Sequence, residues 1–219
     1  MKKIIVFIIS LLLVLTLTGC KEKITDNGDN NKTNGNNITK EFSISDNWTD
    51  LEFVLGNEKY SFPLFYKDLS SKGWQLKENE DLPAKESTFK NYEMWNSGFY
   101  DETLDLYAYI YVDFHNYEDE TKKIRDCPVW SIACYRIVEE ISAMGYEIRL
   151  AKGIRWGSTE EEILAAYGPV EEGYRIESGE IGCILVYYTP IENMMIQMNL
   201  HIDYEIGLFM AELMQYPLE

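Results

Sequence analysis

The chain has 219 residues, 46% hydrophobic and 14% aromatic, with 20 Lys and Arg against 37 Asp and Glu for a formal charge of −17. That apolar content excludes a chain disordered over most of its length, because it can bury a core. The acidity excludes a nucleic-acid binder, since an acidic surface repels phosphate and forgoes counterion release.

Lys2 and Lys3 precede an apolar run from Ile4 to Thr18, which closes on Leu17-Thr18-Gly19-Cys20. A positive start, a short apolar stretch and a small residue before the cut predict a secretory signal over residues 1–19, cleaved between Gly19 and Cys20. The run is too short for a spanning helix and is interrupted by Ser10 and two threonines. Its ending resembles the lipobox of bacterial lipoproteins. The resemblance implies that Cys20 receives a diacylglyceryl group and anchors the mature chain to the extracytoplasmic side of a membrane. Richness in Lys, Asn and Ile points to an AT-rich, Gram-positive host and hence to the plasma membrane. Residues 21–40 contain six asparagines, two glycines and no aromatic residue. They predict a flexible tether with a mean reach of about 25 Å. Its Asp-rich start at Asp26 does not make a calcium loop, because Asn31 stands where the loop needs glycine and Asn37 where it needs glutamate. The tether is nearly neutral, so residues 41–219 carry 14 basic and 34 acidic residues, a net −20.

The folded part predicts strands with two short helices. Trp48–Leu55, a Gly56-Asn57 turn and Glu58–Phe62 form a hairpin feeding a helix that starts near Pro63 and stops at Gly73. Leu104–Phe114 alternates strictly, with Leu104, Leu106, Ala108, Ile110, Val112 and Phe114 on one face and Asp105, Tyr107, Tyr109, Tyr111 and Asp113 on the other. Met194–Tyr204 repeats the pattern, so the sheet has one covered and one exposed face. Val129–Val138 and Gly182–Tyr188 are apolar on both sides, which predicts central strands. The Tyr204–Gly207 turn returns the chain as a last strand through Leu213. Between them, Ser158 as N-cap with Glu161 three residues on predicts a helix ending at Gly168-Pro169. No histidine or nucleophile elbow accompanies Ser158, so capping explains it.

The halves match each other. Leu69 and Gly73 fall on Leu164 and Gly168 at an offset of 95, as do Leu55 on Leu150 and Tyr92 on Tyr187, while the amphipathic strands match at 90. This predicts one domain, 41–219, of two β-α-β-β-β-like repeats, about 41–145 and 146–219. The run Gly153-Ile154-Arg155-Trp156-Gly157-Ser158-Thr159, then Ile163 and Tyr167-Gly168-Pro169, with Tyr187 beyond, resembles small envelope lipoprotein domains of the BamE (SmpA/OmlA) type. The tandem form is that of the β-lactamase inhibitory protein. The resemblance covers residues 148–204 well and the first unit faintly, where Phe62-Pro63 replaces Gly-Ser and Trp74 replaces proline. It implies an α+β fold, with short helices packed on one face of an antiparallel sheet and protein binding across the other, and it carries over no catalytic residue.

The residues themselves imply no cofactor and no catalytic or metal centre. The binding face is expected at Tyr107, Tyr109 and Tyr111 with Asp105 and Asp113, since tyrosines offer broad amphipathic area at low entropic cost. The expected partner is an envelope protein or peptide with a basic or mixed surface. The alternative is an envelope hydrolase or metal-dependent enzyme that joins His115 and His201 to acids such as Asp113 and Asp203. Cys127, Cys134 and Cys183 read best as buried thiols; a bent Cys127–Cys134 bridge or a cross-strand Cys134–Cys183 pair are the other options.

Overall fold

The computed structural model describes residues 42–76, 81–82, 91–136, 144–171 and 174–218. The signal segment, Gly19, Cys20 and the tether lie outside the described residues, as do Ile137 and Val138. In chain order the strands are β1 (Glu52–Leu55), β2 (Glu58–Ser61), β3 (Leu64–Phe65), β4 (Trp74–Leu76), β5 (Asp81–Leu82), β6 (Asn91–Asp101) and β7 (Leu106–Phe114). They continue as β8 (Lys122–Lys123), β9 (Pro128–Tyr135), β10 (Ile148–Arg149), β11 (Arg175–Glu177), β12 (Gly182–Ile191), β13 (Met194–Asp203) and β14 (Gly207–Pro217). Two α-helices are described, α1 (Tyr66–Ser70) between β3 and β4 and α2 (Glu160–Tyr167) between β10 and β11.

A long antiparallel sheet runs β11-β12-β13-β14-β9-β7-β6-β4, with β3 also pairing β9. A small sheet runs β10-β1-β2, and β5 pairs β8. Each alternating strand sends one set of side chains inward: Ala108, Ile110, Val112 and Phe114 from β7, and Ile196, Met198, Leu200 and Ile202 from β13, all buried. They share one core with Phe53, Leu55 and Tyr60 of the small sheet, Leu69 of α1 and Ile163 of α2. Several of the buried rings keep their polar ends satisfied. Trp74 Nε1 donates to Tyr60 Oη at 2.9 Å, and Tyr167 and Tyr187 donate to the carbonyls of Ala151 and Gly168 at 2.8 and 2.9 Å.

The expected α+β architecture is therefore corrected. The chain is mostly strand, and the fold is better described as all-β. Among the described residues the layer over the covered sheet face is not made of helices, because α1 and α2 span only 5 and 8 residues. Much of it is the small sheet, which forms because β1 pairs with β10 from the other half of the chain, Leu55 opposite Ile148. A hairpin pattern was legible around Gly56; its third partner, more than ninety residues away, was not.

Local boundaries shift for identifiable reasons. Thr159, not Ser158, caps α2: its side chain accepts from Glu162 N at 3.3 Å, and Glu162 Oε2 accepts from Thr159 N at 3.0 Å. Ser158 is buried one residue earlier, its Oγ accepting from Arg155 N. Leu104 and Asp105 belong to the β6–β7 turn, where Asp101 Oδ1 accepts from Thr103 N and Leu104 N and Asp105 adopts a φ of 50°. Strand β9 is central, as its two apolar faces predicted, but β12 is second from an edge. Apolarity on both faces does not by itself report rank in the sheet. Gly182 and Gly207 sit where backbones nearly touch: a Cβ would lie 2.0 Å from the Ile202 carbonyl oxygen and 2.3 Å from that of Gly157.

Candidate functional site

The face of the long sheet that no described element covers carries the alternate residues. Strand β7 turns Tyr107, Tyr109, Tyr111 and Asp113 outward, with Tyr107 the most open at 37% exposure and the others half-buried. Sequence reasoning found these residues but missed their neighbours. Trp95 from β6 and Tyr100 pack on Tyr107, with centroids 5.2 and 4.2 Å apart. Tyr135 from β9 lies 5.9 Å from Tyr109 and 5.6 Å from Tyr111. The stripe is thus the middle of an aromatic patch three strands wide, beside an open groove of about 520 Å³ lined by Glu93, Trp95, Asp105, Leu106 and the three tyrosines. Alternation within β6 and β9 held the missing signal, since Trp95 and Tyr135 are out of phase with the buried Met94 and Cys134. Burial raises the Tyr109 hydroxyl above its ordinary pKa, helped by Tyr111 and Glu93, and burial likewise raises Tyr135.

Next to the patch the face becomes polar. Asp113 Oδ2 accepts from Ser131 Oγ at 2.7 Å, while its buried Oδ1 has no hydrogen-bond partner. Burial pushes the Asp113 carboxyl up; the Ser131 hydrogen bond opposes this and the charge of Glu212 reinforces it. Glu212 closes a directional chain. Tyr216 Oη donates to Gln197 at 3.0 Å, Gln197 Nε2 donates to Asn199 at 3.0 Å, and Asn199 Nδ2 donates to Glu212 Oε2 at 2.7 Å. His115 follows Asp113 on the same side, its ring 4.9 Å from Trp130, which in turn lies 5.3 Å from Tyr216. Among the described outward positions of β6, β7, β9, β14, β13 and β12, the charged residues are Glu93, Asp113, Asp203 and Glu212, and none is lysine or arginine.

The histidines do not meet. His115 follows β7 and His201 lies on β13, with β9 and β14 between them. Three strand spacings of about 4.8 Å separate the two strands. Burial pushes both imidazoles below their ordinary pKa. Among the described residues no group of three or more His, Cys, Asp or Glu is arranged to hold a metal ion. Cys127, Cys134 and Cys183 are buried free thiols, with Cys134 in the middle of the core.

The chain matches no protein family, curated protein or solved structure. No described helix is long and apolar enough to cross a membrane.

Proposed function

We propose that the chain is a lipid-anchored, extracytoplasmic protein-binding module without enzymatic activity. Cys20 is its anchor, residues 21–40 its tether, and the open face of the long sheet its binding surface. The observation that carries the reading is the aromatic patch on that face: six rings from three strands, packed against one another and backed by a buried core. Rigid aromatic clusters of this kind lose little side-chain entropy on docking and supply the anchors that dominate protein interfaces. The lipobox-like ending and the polar tether support placing the surface outside a membrane, in a Gram-positive host the plasma membrane.

Photo-crosslinking from a benzophenone amino acid at Tyr111, in intact cells, tests the face. The expected result is one dominant adduct, absent when the probe stands at Glu58 on the small sheet. Equal labelling from both positions would overturn the reading. Metabolic labelling with palmitate tests the anchor: incorporation that survives Cys20→Ser would remove Cys20 from it.

A further inference from the structure

The open face has a chemical polarity that its aromatic content alone does not convey. Its described outward strand positions carry Glu93, Asp113, Asp203 and Glu212 and no lysine or arginine, and Asp105 adds a fifth carboxylate at the rim of the aromatic groove. Asp113 is the unusual member. One of its carboxylate oxygens is held by Ser131, and the other is buried without a donor. A buried carboxylate oxygen left in that state costs stability unless something binds it. Nearby Glu212 raises the cost by repulsion, and its own bond from Asn199 leaves Asp113 no donor from that side.

Resting on the reading of this face as a protein-binding surface, we propose that it takes a basic, partly apolar polypeptide segment, one of whose arginine or lysine side chains pairs with Asp113 Oδ1. The apolar residues of the segment lie on the rings of Tyr107, Tyr109 and Tyr111. A guanidinium suits this site best, since it bonds carboxylates through a planar fork and stacks on aromatic faces. Oδ1 is covered in the free protein, so half-buried side chains beside it turn aside as the cation enters, a rearrangement common at interfaces. A second copy of the chain is disfavoured as occupant, because it would bring a −20 domain against another and place carboxylate on carboxylate. An anionic lipid surface is disfavoured for the same reason.

The test uses the full chain and three blocked twelve-residue peptides of alternating leucine with arginine, citrulline or glutamate, read by fluorescence anisotropy. Citrulline keeps the shape of arginine and removes its charge. The arginine peptide is expected to bind at least about tenfold more tightly than the citrulline peptide, and the glutamate peptide not at all. Asp113→Asn is expected to weaken arginine-peptide binding about tenfold, and Glu212→Gln by less. Glu205→Gln, which removes the same charge from a distant exposed turn, is expected to change it less than twofold. Equal binding of the arginine and citrulline peptides, or equal effects of Asp113→Asn and Glu205→Gln, overturns the proposal, as does failure of the arginine peptide to bind. Circular dichroism of each variant confirms that it is folded. Crosslinking from Tyr111 reads the face independently of charge: a specific adduct alongside a failed peptide result removes the cation site and leaves the binding face, whereas loss of both removes the two together.

Discussion

The two halves of the chain are built alike inside and differently outside. From either end, the long sheet is met in the same order: β11, β12, β13, β14 from one side and β4, β6, β7, β9 from the other, so that β14 and β9 meet in the middle. The small sheet follows suit, because β1 pairs with β2 on one side and with β10 on the other, and β10 bridges on to Arg155. The row Ile110, Cys134, Ala211, Leu200 crosses all four central strands, every member fully buried. The outward rungs do not match. Where β7 presents Tyr109 and Tyr111, β13 presents Gln197, Asn199 and His201, and β14 adds Met210 and Met214. Burial constrains the inward set in both halves through packing, while the outward set is free to diverge. The difference between the halves therefore lies in the outward set, which in the first half is the face proposed for binding.

Several substitutions would break or sharpen that comparison. Gly182→Ala in the second half should have the largest effect, about 3 kcal/mol or more in urea unfolding, because its Cβ would strike the backbone of β13. The corresponding rung of the first half holds Asn91 opposite Asp113, with no such requirement for glycine. At the joint between halves, Ile132→Ala and Leu213→Ala should each cost about 2–4 kcal/mol. The double variant should fall short of the sum, since the two residues are opposite one another. Additivity there would mean that the halves are energetically independent. Tyr109→Ala or Tyr111→Ala should leave the unfolding midpoint nearly in place while sharply reducing crosslinking, whereas Asn199→Ala should do neither to the same degree. Thr159→Ala should cost about 1 kcal/mol by removing the N-cap of α2. Asp68→Ala should cost less, since at α1 the Asp68 carboxylate only accepts from Phe65 N and the cap position has no side-chain acceptor.

The smallest predicted effect has a definite sign. Asp113 has its folded pKa raised above the ordinary value, chiefly by burial, so the native state holds this proton more firmly than the unfolded chain. Stability from this group is then present below the ordinary carboxyl value and is lost as pH rises through the interval up to the folded value. Asp113→Asn should flatten the pH dependence across that window and leave the protein at least as stable at neutral pH. A variant that loses stability there would show that the carboxylate supports the fold through Ser131 instead of burdening it.

Much of this was legible in the chain, and the exceptions have a common cause. The alternation of β7 and β13, the turns at Gly56 and Tyr204, and the second helix follow from local periodicity and turn chemistry. The pairing of the halves was sought through identical residues, and identity misled. Leu69 was matched to Leu164, but the buried partner in α2 is Ile163, and the carboxylates that bond back to the first turn are Asp68 and Glu162, a shift of 94 and not 95. Tyr92 lies opposite Val112 while Tyr187 lies opposite Met198, so those tyrosines occupy different rungs. What repeats is the position that must be buried, and leucine and isoleucine serve it equally. At the candidate site, Tyr107, Tyr109 and Tyr111 were evident from one strand. Trp95, Tyr135 and Glu212 required knowledge of which strands are neighbours, which is long-range information.

Among the described residues the long sheet ends at both sides in a strand of three residues, β4 and β11, and on β11 all three are exposed, with Arg175 tied to Glu160 and Glu177. An edge that short offers an incoming strand few backbone groups to template on, and charged side chains occupy the approach. Short, charged edges of this kind are insurance against polymerising sheet to sheet. If the broad face binds as proposed, side-chain chemistry and not bare backbone selects what stays.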